Sequence, residues 1–287
     1  MHPELFSIPK LFTIPELFGI GPLDVGPFTI YSYGVLLAAS YLLGLRLAMW
    51  RAKKWGLDAN RVLDLGIYII IAALVGAKLM LVVVDFDQFT SLGEVMTLVR
   101  SGGVFYGGLL LAVGVAFWYI ARHGLPFWTT CDVFAPGIAL GHVTGRLGCL
   151  AAGCCYGKPT DVPWAVVFTN PLAAANVGTP LGIPLHPTQL YEAGAALLIL
   201  GFLLATERRG RPFPGRTFWS YMFLYAVSRY IVEIYRGDPR GTVFGIWSTS
   251  QFISLLLAPL SLAMLFWLSR HRPVTPERVS KRRRAAA

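Results

Sequence analysis

Apolar residues gather along the chain into seven runs, at 29–50, 61–84, 104–121, 128–149, 187–206, 217–235 and 247–268. Each is close to the roughly 20 residues that a helix needs to cross the hydrocarbon core of a bilayer. The connections are short and polar, or broken by glycine and proline. The pattern predicts an all-α polytopic membrane protein with seven transmembrane helices, residues 29–269 forming one transmembrane domain. Before it, residues 1–28 carry a hexapeptide repeat opening at Pro3, Pro9 and Pro15. A proline every six residues forbids a continuous helix, and the segment lacks the basic start and unbroken apolar core of a signal peptide. It reads as an interfacial segment with Leu and Phe side chains dipped into lipid, or as a partly ordered tail. Residues 150–186, with Trp164 and Phe168, are too broken to span and predict an outer loop with a small cap or a strand pair.

Composition agrees: the 287 residues are 55% hydrophobic and 14% charged, against about 25% charged in soluble chains. The net charge of +10 changes the picture only through its placement. Arg51, Lys53, Lys54 and Arg61 lie in the first connection, Arg122 in the third, and Arg208, Arg209, Arg211 and Arg216 in the fifth. Arg270, Arg272, Arg278 and the Lys281–Arg284 run occupy the tail, 270–287. These connections fall on one side. By the positive-inside rule the N-terminus is outside and the C-terminal tail cytoplasmic, where it meets anionic lipid. The basic balance is topology, and nucleic-acid binding is excluded. Four cysteines are too few for a disulfide scaffold. Cys131 reads as a buried small hydrophobe, whereas Cys149, Cys154 and Cys155 lie at the outer end, where a disulfide can persist.

Charges inside the runs carry the chemistry. Arg146 sits part-way along the fourth run, where a cation costs about 2.5–3.5 kcal/mol even on gentle insertion scales, so it is read as facing an anion. His142 lies four residues earlier on the same face. Beyond Arg146 the chain passes Gly148, three cysteines and Gly157 in an irregular turn whose N–H groups suit an anion. In the sixth run Arg229, Glu233 and Arg236 form one stripe near Tyr225. One carboxylate between two guanidiniums implies net positive charge aimed inward. The fifth run opens at His186, Pro187, Gln189 and Glu192. Proline suits a first helical turn and a carboxylate suits the positive end of the dipole, so Glu192 reads as partly structural within a dense polar group. Tyr33 reads as a membrane-belt residue or an inward-facing one. Gly76, Ala77 and Lys78 sit in the second run, Lys78 snorkelling to headgroups. Gly102, Gly103, Gly107 and Gly108 flank Tyr106. They serve close helix packing or the approach of a lipid headgroup to Tyr106.

Taken in order, these blocks resemble the bacterial prolipoprotein diacylglyceryl transferases: Tyr33-Gly34, Gly76-Ala77-Lys78, the two glycine pairs around Tyr106, Gly145-Arg146-Leu147-Gly148 through Gly157, the His186–Glu192 block, and Arg229, Glu233 and Arg236. The resemblance covers about 29–268. It implies transfer of the diacylglyceryl group of phosphatidylglycerol to the lipobox cysteine of a preprolipoprotein, leaving a thioether and glycerol 1-phosphate. It implies no cofactor and no metal, a site toward the periplasmic leaflet of the bacterial inner membrane, and a periplasmic cap over 150–186. Arg146, Arg229, Tyr106 and Glu233 are then the catalytic candidates. Arg146, Arg229, Tyr33, Gly148, Gly157, His186, Gln189 and Arg236 are the candidates for binding phosphatidylglycerol. The chain departs from the pattern in five places, the first being Lys78, where the family favours an arginine. Tyr106 stands where the family has a histidine, Cys149 and Ala152 where it has asparagines, and Cys154 where it has a glutamate. The thiol's proton therefore has three candidate acceptors or relays, Tyr106, His142 and His186.

Two other readings stay open. Cys149, Cys154 and Cys155 suggest a membrane thiol oxidoreductase or a structural disulfide, although the spacing fits no common zinc motif. Intramembrane arginines also occur in transporters and lipid-binding scaffolds, although no repeated half-chain or paired broken helix is visible.

Overall fold

The computed structural model describes residues 4–8, 12–14, 23–25, 28–85, 103–210, 212–239 and 241–272. Most of the hexapeptide repeat, Gly102, Arg211 and the basic tail beyond Arg272 lie outside them. The fold is mostly helical: α1 Ser32–Lys54, α2 Ala59–Val84, α3 Phe105–Arg122, α4 Phe127–Ala152, α5 Pro171–Val177, α6 Thr188–Arg208, α7 Arg216–Ile234 and α8 Thr249–His271. Each of the seven apolar runs falls on a helix. Six, all but α5 and α7, are long and apolar enough to cross a bilayer, so this is a multi-pass membrane protein. At 19 residues α7 has the length, but Arg229, Glu233 and its tyrosines lower its hydropathy. The spanning helices present large apolar side chains outward, Leu198 at 77% exposure and Val83 at 71%, as a lipid-facing surface requires.

Short antiparallel strand pairs complete the fold among the described residues. β1 Glu4–Ile8 pairs with β4 Phe28–Tyr31, and β2 Phe12–Ile14 with β3 Leu23–Val25. β5 Val166–Val167 pairs with β6 Pro184–Leu185, and β7 Thr242–Val243 with β8 Trp247–Ser248. The connection between α4 and α6 thus holds the β5–β6 pair and α5. Helix starts follow local chemistry: Asp58 accepts from the first N–H groups of α2, and Ser248 with Gln251 forms a capping box on α8.

The chain divides into two compact units, residues 45–134, and residues 1–44 with 135–287. In the first, α2 and α3 meet backbone to backbone. A Cβ on Gly107 would strike Met80, and one on Gly108 would lie 2.6 Å from the Ala73 carbonyl. Val104 N–H donates to Ala77 O at 3.0 Å. Gly103, Gly107 and Gly108 and the Gly76-Ala77 step are therefore two faces of one helix contact. Arg51 corrects its placement among the loop cations. It is buried in the last turn of α1, its guanidinium donating to the carbonyls of Asp132 (3.0 Å) and Val133 (3.1 Å). The cause is Pro136, inside α4, which has no N–H to offer the Asp132 carbonyl. In the second unit α1 and α4 touch at Gly44 and Gly137, where an added Cβ on Gly44 would come 2.9 Å from the Gly137 carbonyl.

Candidate active site

Four segments of the larger unit bring the site together. The last turns of α4 present His142, Arg146 and Cys149 at steps of four and three residues. Helix α6 opens beside Pro187 and carries Glu192 in its second turn. The end of α7 supplies Arg229 and Glu233, with Arg236 two residues past its close, and α8 adds Ser250. All three arginines converge on Glu192. Its Oε2 meets Arg146 Nε at 2.6 Å, and its Oε1 meets Nη1 of Arg229 at 3.2 Å and Nη1 of Arg236 at 3.0 Å. Arg229 also pairs with Glu233 at 2.7 Å and donates to Ser250 Oγ at 2.9 Å. Arg236 holds Asp238 through Nε and Nη2, both at 2.8 Å. Arg229, Arg236, Glu192 and Glu233 are buried.

This corrects the expectation of net positive charge. Glu233 is not a lone carboxylate between two guanidiniums: Glu192, Glu233 and Asp238 face Arg146, Arg229 and Arg236 one for one. Burying a guanidinium costs several kcal/mol unless its charge and donors are matched, and the matching comes from a helix that the α7 stripe does not include. Burial works most strongly against the charge on Arg236, but the hydrogen bond to Asp238, together with the attraction of Cys155 and Asp238, outweighs it and holds its pKa above the ordinary value.

Arg146, Glu192 and Arg229 line a narrow pocket. The rest of its lining is Ala195, Ala196, Ile199, Val232, His142, Tyr221, Tyr225 and Ser228. The Tyr221 hydroxyl lies 2.9 Å from His142 Nδ1, and the imidazole stacks on Tyr225 at 5.1 Å. A second, open pocket lies past Arg236 and Glu233, bounded by Lys158, Asp238, Ser248 and Gln251.

The loop after α4 is laced into this frame. Gly157 N–H donates to His186 O at 3.1 Å, Lys158 N–H to Tyr235 O at 2.8 Å, and Gly237 N–H to Tyr156 O at 3.1 Å. A Cβ on Gly157 would collide with the backbone and Cβ of His186. Gly148 packs on α1, where an added Cβ would sit 3.3 Å from Leu36 and 3.4 Å from the Tyr33 ring. His186 hydrogen-bonds Tyr191 at 3.1 Å and meets Tyr235 edge-on. Gln189 is fully buried, its Nε2 donating to the Cys154 carbonyl at 2.7 Å. Cys149, Cys154 and Cys155 are free thiols whose sulfurs lie within 4.8 Å of one another. Hydrogen bonds from the other two thiols, helped by Arg236 and Arg146, pull the Cys155 pKa down. Tyr106 belongs to the other unit, at the start of α3, edge-on to Phe105 and 44% exposed.

A family model for prolipoprotein diacylglyceryl transferase matches residues 22–267. The chain belongs to that family. Among relatives that carry the name phosphatidylglycerol–prolipoprotein diacylglyceryl transferase, the Clostridium tetani protein is 37% identical over 244 residues, 85% of this chain and 94% of its own length. The Thermus thermophilus protein is 33% identical, over 85% of this chain and 96% of its own. The Finegoldia magna protein is 31% identical, over 78% and 86%.

Within this family member the structure unites Arg146, Arg229, Glu233 and Arg236 as the sequence implies, and adds Glu192, Asp238 and Ser250. A carboxylate at the mouth of an apolar run that shares a chain with two intramembrane arginines is a signal in the sequence. Helix-dipole chemistry supplies a competing explanation for the same residue. Asp238 follows Arg236 by two residues and was readable as its partner. Nothing along the chain marks Ser250.

Proposed function

We propose that this chain transfers the diacylglyceryl group of phosphatidylglycerol to the lipobox cysteine of preprolipoproteins. The observation that carries the reading is the convergence of three guanidiniums on Glu192, two of which, Arg146 and Arg229, also line a narrow pocket with apolar and aromatic side chains. The chain crosses the bacterial inner membrane seven times, α7 included, with its N-terminus and site toward the periplasm, residues 150–186 as a cap, residues 1–28 at the outer interface and the basic tail in the cytoplasm. The thiolate sulfur forms a bond to the terminal glycerol carbon of the diacylglyceryl group, and the C–O bond to the phosphate breaks. The leaving glycerol 1-phosphate takes the bonding pair and gains up to one further negative charge, since a phosphate monoester carries about 1.5–2 at neutral pH. The thiol's proton compensates that charge.

Arg146 and Arg229 hold the phosphate, guanidinium being matched to its oxygens in bidentate fashion, and stabilise the charge as it develops. Glu192, Glu233 and Arg236 keep the two forks in place. Phosphate competes with Glu192 for them, so the carboxylate is the group the substrate partly displaces. Tyr33, Gly148, Gly157, His186 and Gln189 shape the surround. Incubating membranes carrying Arg146→Ala or Arg229→Ala with a lipobox peptide, followed by mobility shift, is expected to show no transfer. Normal turnover in either variant would refute the phosphate clamp.

A further inference from the structure

Among the described residues, the three clustered thiols are a chemically distinctive group that diacylglyceryl transfer leaves unused. We propose that Cys149, Cys154 and Cys155 form a three-sulfur site for a soft, thiophilic metal cation of the zinc or cadmium type. Their sulfurs lie within 4.8 Å of one another. With metal–sulfur bonds of about 2.3 Å, sulfurs around a tetrahedral or trigonal ion sit about 3.8–4.0 Å apart, so closure needs side-chain motions of under about 1 Å. An all-sulfur donor set selects soft cations over magnesium or calcium. The fourth position is left to water or an external thiol.

The backbone is built to hold this arrangement. In an extended strand, neighbouring side chains such as Cys154 and Cys155 point to opposite sides. Here Gly153 has φ 85° and Cys155 φ 62°, and the turn brings both thiols back to Cys149 at the end of α4. A left-handed conformation is one that residues with a side chain seldom adopt, so the turn at Cys155 is held against that preference. Three successive carbonyls in the turn each accept a side-chain hydrogen bond: Gly153 O from Thr179 (3.0 Å), Cys154 O from Gln189 (2.7 Å) and Cys155 O from Thr188 (2.7 Å). Those donors are buried, at 2%, 0% and 0% exposure. The spacing that fits no zinc motif along the chain is thus closed in space. Three thiolates around a divalent ion carry one net negative charge.

The full chain, purified in detergent with its thiols reduced and counted, is titrated with Cd2+ while the ultraviolet sulfur-to-metal charge-transfer band is recorded. The expected result is saturation at one Cd2+ per chain, reversal by excess chelator, and an unchanged titration in Cys131→Ser. Cys149→Ser, Cys154→Ser and Cys155→Ser are each expected to weaken binding at least tenfold and to lower the band by about a third. Thr188→Val, which keeps all three thiols, is expected to weaken binding by a smaller factor. No band in the reduced wild-type chain, or a band undiminished by Cys149→Ser, would overturn the proposal. So would recovery of the three residues as a disulfide and one thiol that reductant does not open. The titration reads the site without any transfer assay, so its outcome is separate from that of the proposed reaction.

Discussion

Replacing Glu192 with glutamine separates two accounts of one residue. If Glu192 only favours the positive end of α6, its charge contributes about 0.3–1 kcal/mol. If it is the common partner of three buried guanidiniums, the loss is larger. One charge pair at about 4 Å and an effective dielectric of about 20 interacts with about 4 kcal/mol, and Glu192 makes three such contacts at 2.6–3.2 Å. Desolvation offsets much of that sum, and removing one member of a buried ion pair costs about 3–5 kcal/mol in practice. Glutamine keeps the shape and leaves three guanidiniums facing two carboxylates. Glu192→Gln is therefore expected to lower unfolding free energy by about 3–5 kcal/mol, read as a shifted midpoint with unchanged slope in reversible unfolding by dodecyl sulfate in mixed micelles. Adding Arg146→Gln removes one uncompensated cation, so the double variant is expected to be more stable than the additive sum by about 0.5–3 kcal/mol. A single-variant loss below about 1 kcal/mol with strict additivity would refute the hub.

Three further outcomes follow from the geometry. Ser250→Ala removes a hydrogen bond to the charged Arg229 fork, a contact worth about 1.5–3 kcal/mol. If the fork is aligned for the transition state, kcat/KM falls about 10-fold to 100-fold, and an unchanged rate would show that Ser250 is a bystander. Gly157→Ala places a Cβ against the His186 backbone and is expected to destabilise the chain by about 1–3 kcal/mol in the same micellar unfolding assay. Tyr106→Phe is expected to slow transfer by about 10-fold or more if the hydroxyl orients or relays a proton. Full rate in the mobility-shift assay would remove Tyr106 from the chemistry.

Periodicity made the helices legible, because a hydrophobic stretch long enough to cross a bilayer has few other solutions. It also made one stripe of the site legible, since Arg229, Glu233 and Arg236 recur at helical spacing on a single segment. Two features of α2 and α3, the Gly76-Ala77 step and the glycine pairs, were each visible alone. That they meet is a property of packing, which spacing along one helix does not encode. The same limit hid Glu192. Partners of a buried charge are chosen across helices, and the sequence supplies a carboxylate without its direction. Arg51 differs for a related reason: besides the Trp55 ring, its partners include the backbone carbonyls of Asp132 and Val133, and backbone carbonyls leave no mark in composition. The missing half of the site then changes its physics. An uncompensated trio of guanidiniums inside a membrane protein would be costly before any lipid arrived. A trio matched by Glu192, Glu233 and Asp238 is stable and pre-aligned without ligand. In the proposed reaction a phosphate competes with Glu192 for Arg146 and Arg229. The departing phosphate monoester carries more negative charge than the bound diester and competes better, and that difference is what would stabilise the transition state over the ground state.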